Sequence, residues 1–319
     1  MTQTPDPQHY PDDEIDLREL FATLWAGKWL IILTTIIFAA GGAAYALQKP
    51  NIYQASVLLA PAQDQGGSRI GGQLGGLASL AGVNLGGGDT NKTTIAKEVL
   101  QSRAFLTDFI HRHNLQPKLM ATEAWNEGGG KWVYNQEVYN EKTADWGTDE
   151  EGRSLKPTDW DLVKTFRKQL SVSDSKDTGM ITVSVKSLSP VAAQNWTEWL
   201  VKDINEHMRE EDVQEAEASI QYLESKLQET NIAGMQQVFY QLIESETRTV
   251  MLANAQKEYV FKTVDPAVVP QEKSEPKRAM ICILATLLGG MLGVFLVFLR
   301  AFFQAPVEKV NKRIPIAYE

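Results

Sequence analysis

Two stretches of the chain carry no charge at all. Residues 29–47 read WLIILTTIIFAAGGAAYAL, with 15 apolar residues in 19, and residues 279–299 read AMICILATLLGGMLGVFLVFL, with 17 in 21. As helices rising about 1.5 Å per residue, each is long enough to cross the hydrocarbon core of a bilayer. Lys28 and Lys49 bracket the first run and Arg278 and Arg300 the second, with Trp25 and Trp29 at the first boundary, where amphipathic rings favour the headgroup level. A cleaved signal peptide competes for the first run. The segment before it is too long and too acidic for that, and the run exceeds a typical signal core.

The two runs divide the chain into a head (1–28), a first span (29–47), a middle segment (48–278), a second span (279–299) and a tail (300–319). Head and tail then lie on the same side of the membrane. Basic residues do not decide which side. Arg18 and Lys28 lie in the head and Arg300, Lys309, Lys312 and Arg313 in the tail, but Lys49, Lys273, Lys277 and Arg278 lie in the middle segment. That segment is also too long for the positive-inside rule.

Within the middle segment the period changes repeatedly. Ile52–Ala60 alternates as a strand and stops at Pro61. Residues 65–88 are glycine-rich, with interspersed leucines, and read as a loop that packs on something. Thr90–Asn114 carries one broad apolar stripe and predicts a helix. Residues 121–156 are polar and rich in Trp, Gly and Glu, and read as loops with a short helix. Pro157-Thr158-Asp159 are start signals for a helix over 160–170. Residues 170–173 and 180–186 are strands joined by a polar turn, and residues 259–264 are another strand.

Pro190 opens the most distinctive element. Val191–Thr230 contains neither Pro nor Gly, which predicts one helix of about 60 Å. Asn231–Gly234 breaks it, and a second helix over 235–258 runs back. The helical hairpin therefore spans 191–258, and the base comprises 48–190 and 259–278. The fold class expected is α+β: two transmembrane helices flanking an α/β base with a long projecting hairpin. A helix so polar in its middle cannot be held by burial in one small domain. It must pack on its return helix or on copies of itself.

Charge locates the chain's acidity. The formal net charge is −9. The long helix alone holds ten acids against Lys202, Arg209 and Lys226. The plain reading of this run is a solvated face. The negative balance argues against nucleic acid as a partner.

Catalytic chemistry is missing from the pattern. His111 and His113 are two apart on a predicted helix and cannot share a metal. The single cysteine, Cys282, lies inside the second span. No Gly-Lys-Ser/Thr follows any glycine run, and no nucleophile elbow is present. No catalytic residue, metal or cofactor is expected.

Taken in order, several pieces resemble the Wzz-type chain-length determinants, polysaccharide co-polymerases of the Gram-negative inner membrane. They are IDLRELFATLWAGKWLI (15–31), IYQASVLLAPA (52–62), GGLASLAG (75–82), KEVLQSRAFLTDFI (97–110) and PAVVPQEKSEPKRA (266–279) followed by Gly289, Gly290 and Gly293. The resemblance implies a non-catalytic homo-oligomeric ring with both termini cytoplasmic and the middle segment periplasmic. It implies partnership with a separate integral-membrane O-antigen polymerase and its lipid-linked polysaccharide, whose modal length the ring sets. Related two-span co-polymerases carry or recruit a tyrosine kinase. The 20-residue tail, with Tyr318 and no Walker motif, resembles the kinase-free lipopolysaccharide type. Length control of enterobacterial common antigen or an exopolysaccharide, and an adaptor of an export complex, are the alternatives. A two-span sensor has the same topology but needs a cytoplasmic output domain.

Three working surfaces follow. Gly289-x-x-x-Gly293, with Gly290, is a close-packing motif that would set the second span against Gly41-Gly42 of the first. Pro266, Pro270 and Pro276 lie on the approach to the membrane, the expected area of polymerase contact. Trp196, Trp199, Leu200 and Ile204, the apolar side of the long helix, are the expected oligomer contact.

Overall fold

The computed structural model describes residues 17–62 and 88–304. The first 16 residues of the head, nearly all of the glycine-rich loop (including 75–82) and most of the tail lie outside the described residues. The chain forms two compact units, one from the segments up to Lys49 and from Pro276 onward, the other Pro50–Glu275.

The first unit contains α1 (Leu17–Ala26), α2 (Lys28–Gln48) and the last helix, named below in chain order. The second unit is built on a four-stranded antiparallel sheet. Its strands are β1 (Tyr53–Pro61), β6 (Leu170–Asp174), β7 (Ile181–Ser187) and β8 (Phe261–Asp265), in the order β6-β7-β1-β8. The first strand therefore pairs with β7 and β8, which lie more than 100 residues further along the chain. Alternation sets its faces: Ala55, Val57 and Leu59 point into the core, in register with Val185, Val183 and Ile181 of β7.

Helices cover that apolar face. They are α3 (Gly88–Gln101), α4 (Arg103–Arg112), the short α5 (Gln116–Met120), α6 (Asp159–Gln169) and the first half of α7 (Pro190–Glu229). The stripe over Thr90–Asn114 is two helices rather than one. Ser102 takes an extended conformation and its hydroxyl accepts from the Phe105 amide, capping α4. α4 ends in a Schellman motif: the Leu115 amide reaches the Ile110 carbonyl at 2.9 Å, with Asn114 left-handed at φ 51° and Leu115 buried. Thr158 caps α6 and Ser189 caps α7, with Pro190 at its first position.

The segment between α5 and α6 is more ordered than its composition predicts. It holds two small antiparallel hairpins, β2–β3 (Thr122–Asn126 and Lys131–Tyr134) and β4–β5 (Tyr139–Asn140 and Asp145–Trp146), where loops and a short helix were expected. Trp132 of β3 lies 6.2 Å from Trp196 of α7, nearly parallel to it.

α7 runs for 40 residues and α8 (Ala233–Ala255) returns along it. The last helix is α9 (Arg278–Gln304).

Candidate functional site

α2 and α9 pack against each other along their length. Both are long and apolar enough to cross a membrane, and only 6% and 17% of their apolar windows are buried. A soluble core helix would be mostly covered. Here Leu33, Ile36 and Ile37 of α2 and Leu284, Leu287 and Met291 of α9 face outward.

Small residues carry the contact between them. A methyl group at Gly289 would lie 2.7 Å from the Phe38 Cβ and 3.1 Å from the Thr35 Cα. One at Gly293 would lie 2.8 Å from the Ile31 Cα and collide with the Thr34 hydroxyl, and one at Gly42 would lie 2.5 Å from the Ala285 Cβ. Ala285, Gly289 and Gly293 thus form a four-residue ladder meeting Gly42, Phe38/Thr35 and Ile31/Thr34 in antiparallel order. The register differs from the expected glycine-on-glycine match. Gly41 faces open space, and Gly290 is only in ordinary contact with Thr35. Thr34 and Thr35 satisfy their hydroxyls within their own helix, Thr35 to the Ile31 carbonyl at 2.7 Å, so no donor is left unpaired in an apolar surrounding. Where α2 ends, the Arg278 guanidinium donates to the Ala46 carbonyl at 3.2 Å.

In the second unit, the approach segment after β8 is tied to the start of β1. Ile52 and Glu275 form an antiparallel bridge: Ile52 donates to the Glu275 carbonyl at 3.0 Å, and Ser274 donates to Ile52 at 2.8 Å. Lys186 closes it with an ion pair to Glu275 at 2.5 Å. The unit's first and last residues therefore leave side by side. Pro266 is exposed beside a small cleft shared with Val57 and Lys202, and Pro270 is half-buried. Pro276, also half-buried, belongs to the first unit.

The expected oligomer contact is corrected by burial. Trp196, Leu200 and Ile204 are each no more than 2% exposed, inside the protomer's own core. They face the sheet, so no second copy can reach them. Trp199 is half-buried, with its ring stacked on His113 at 4.4 Å and 9°. α8 carries a run of open apolar surface. Phe239, Ile243, Val250 and Ala253 line its seam with α7 at coiled-coil spacing. One position before that seam runs a second stripe, Met235, Val238 and Leu242, exposed at 44%, 48% and 45%.

The acidic character of α7 is not all solvated. Asp203 is buried, bonded to His113 Nε2 at 2.9 Å with the Arg112 guanidinium at 3.7 Å. Asp212 pairs with Lys92 at 2.9 Å and accepts from the Tyr259 hydroxyl at 2.5 Å. Burial, and then Asp212, push the Tyr259 hydroxyl up to about 12. Asn205 locks the base of the hairpin to β8. Its Oδ1 accepts from the Val260 and Phe261 amides at 2.8 and 2.9 Å, and its Nδ2 donates to the Phe261 carbonyl at 3.1 Å. A visible signal marked it: a polar side chain one turn on from Val201, on the apolar side of α7. Among the described residues, no three His, Cys, Asp or Glu side chains converge to hold a metal.

Two parts of the chain match known protein families. The family model described as "Chain length determinant protein" (Wzz) matches residues 13–113, and "G-rich domain on putative tyrosine kinase" (GNVR) matches residues 225–302. No curated protein sequence matches the chain. Among solved structures, a "full-length bacterial polysaccharide co-polymerase" aligns at 15% identity and TM-score 0.39, over 92% of this chain and 100% of that one. A fragment of the polysaccharide co-polymerase WzzB from Salmonella Typhimurium aligns at 11% identity and TM-score 0.31, over 70% of this chain and 100% of that one. The determinant match runs from the head through the first apolar helix and β1 to the end of α4, and the second match from the hairpin into α9, so over these two segments the chain is similar to chain-length determinant proteins and to the G-rich domain.

Proposed function

We propose that this chain is a non-catalytic regulator that sets the modal length of a lipopolysaccharide O-antigen made by a separate integral-membrane polymerase. It sits in the bacterial inner membrane as a homo-oligomeric ring. The head (1–28) and tail (300–319) are cytoplasmic and the middle segment (48–278) is periplasmic. The observation that supports this best is the chain-length determinant match combined with two exposed apolar helices, close-packed through a glycine ladder, that precede and follow the α+β unit in the chain. The ladder fixes α2 to α9 without using their lipid-facing side chains.

Residues keep distinct roles in this reading. Gly42, Gly289 and Gly293 hold the span pair, and Gly41 and Gly290 leave a small-residue surface beside it. Pro266, Pro270 and Pro276 shape the segment where the polymerase docks. The ring contact moves from the buried face of α7 to the Met235–Val238–Leu242 stripe of α8, whose occupant is a second copy of this chain. These side chains are already half covered, so burying the rest on a neighbour contributes about 0.7–1.5 kcal/mol each.

Cross-linking in intact membranes tests the assignment. A homo-oligomeric ladder that also captures the polymerase supports it. Capture of an outer-membrane channel in place of the polymerase makes the chain an export adaptor.

A further inference from the structure

The insertion between α5 and α6, together with residues of α4, α5 and α6, lines a cleft. It has a volume of about 670 Å³ and opens to solvent. Three aromatic rings form one wall. Tyr134 meets Tyr139 edge-on at 5.5 Å, and Tyr139 meets Trp146 at 5.1 Å. All three are half-buried and line the cleft.

Local backbone chemistry fixes this wall. Asn140 turns the β4–β5 hairpin, its Oδ1 accepting from Lys142 and Thr143 at 3.0 and 3.4 Å. Ala144 closes the turn at φ 58°, in the left-handed region that side chains avoid. Gly147 follows Trp146, and a methyl group there would run into the Glu137 carbonyl. The indole is therefore carried on a strand pressed against the preceding turn.

The opposite wall is polar and prearranged. His111 Nδ1 accepts from Gln116 Nε2 at 2.9 Å, so His111 Nε2 bears the proton it gives Asp159 at 2.7 Å. Lys118, Lys156, Glu141 and Asp159 all line the cleft. Two positive and two negative groups cancel, which suits neither a strong anion nor a cation. Burial lowers the Lys118 ammonium and raises the Tyr134 hydroxyl to about 12. Tyr134 therefore stays a neutral donor throughout the physiological range.

A cluster of aromatic rings beside amides and balanced charges matches one chemistry best. A pyranose presents an apolar face of C–H groups, which complements the negative face of an aromatic ring. Its rim of hydroxyls both donates and accepts, as the amides, imidazole and carboxylates opposite require. We propose that this cleft binds a neutral oligosaccharide segment of the growing polymer. Openness to solvent suits a chain that passes through the cleft rather than a monomer enclosed in it. The site class stands on the cleft itself, and the source of the sugar rests on the chain-length reading.

The test uses the purified full-length protein in detergent and oligosaccharides one to three repeats long, released by mild acid from the source cell's surface polysaccharide. Saturation-transfer NMR reads contact, and intrinsic tryptophan fluorescence reads affinity. The wild type is expected to bind. Trp146→Ala should weaken binding about tenfold or more through loss of the stacking surface. Glu141→Ala removes an exposed side chain from the β4–β5 turn and should weaken binding several-fold. Trp125→Ala, on the other hairpin, should bind as wild type. Absence of binding in the wild type, or equal affinity in all three variants, overturns the site. Modal length lost on gene deletion with no oligosaccharide binding keeps the chain-length reading and discards the cleft. Binding with an unchanged polysaccharide on deletion keeps the cleft and discards that reading.

Discussion

Two antiparallel helix pairs of similar geometry, α2/α9 and α7/α8, are held by opposite means. In the α2/α9 pair the contact is made by the smallest residues available, with Ala285, Gly289 and Gly293 lying on backbone, while the large apolar side chains point away. In the α7/α8 pair the seam takes Phe239, Ile243, Leu223 and Leu227, and the outward face of α7 carries charge while that of α8 also exposes the Met235–Val238–Leu242 stripe. The difference follows from the solvent. Apolar side chains gain nothing by meeting one another in lipid, so close backbone approach and dispersion must hold the first pair. In water, removal of apolar surface holds the second. The second pair also depends on its base, where Trp196, Leu200 and Ile204 anchor α7 in the sheet core.

The largest expected effect comes from filling the ladder. Gly289→Leu with Gly293→Leu places carbon where the Thr35 and Ile31 backbone lies, at about 1–3 kcal/mol or more per site. Thermal aggregation in detergent should begin well below that of the wild type. Gly41→Leu, with nothing near its added Cβ, should be neutral. Equal behaviour of the two would dissolve the contrast between the pairs.

Next is the base of the water-exposed pair. Asn205→Ala strands the buried Val260 and Phe261 amides, costing about 2–3 kcal/mol or more. Faster hydrogen exchange confined to residues 259–262 and the base of α7 is the expected signature.

A smaller effect separates the seam from the stripe beside it. Phe239→Ala should destabilise the protomer by about 1–2 kcal/mol, as a half-buried large side chain is lost. Met235, Val238 and Leu242 changed together to Ser should leave protomer stability within about 0.5 kcal/mol while lowering the oligomer fraction on sedimentation. A destabilised protomer in the triple variant would place the stripe inside the fold.

The smallest effect is in pH. The Tyr259 hydroxyl is raised from 10.0 to about 12 in the folded state, so folded protein holds its proton where unfolded protein has lost it. Stability is then full below pH 10 and declines as pH rises towards about 12. Tyr259→Phe should flatten that part of the alkaline denaturation curve.

Much of this architecture is legible in the sequence, for reasons that also explain the gaps. The two spans, the strands at 52–60, 180–186 and 259–264, and the break near 231–234 are local patterns, and local patterns survive folding. The sheet order is not local: β1 pairs with strands far along the chain, and nothing in its alternation says which. Ser102 broke an expected helix because its cap is a matter of one residue's backbone, and the stripe on either side continues in phase. The hairpins at 122–146 escaped because strands of two to five residues carry too little alternation to register. The assignment of Trp196, Leu200 and Ile204 to an oligomer failed for a general reason. Periodicity shows that a helix face is covered, but not by what. The glycine ladder shows the same limit: small residues at four-residue spacing announced a close approach, while the positions opposite them came only from the packed pair.

The central claim is that the chain governs how long a polymer grows without making it. Its most direct measurement is the length distribution of surface polysaccharide, resolved on a gel, in cells lacking the gene and in cells complemented with the wild type. The account predicts that deletion leaves polymer present with its modal length lost, and that the wild-type gene restores the mode. Complete loss of polymer would make the chain part of synthesis or export, and an unchanged distribution would remove it from length control altogether.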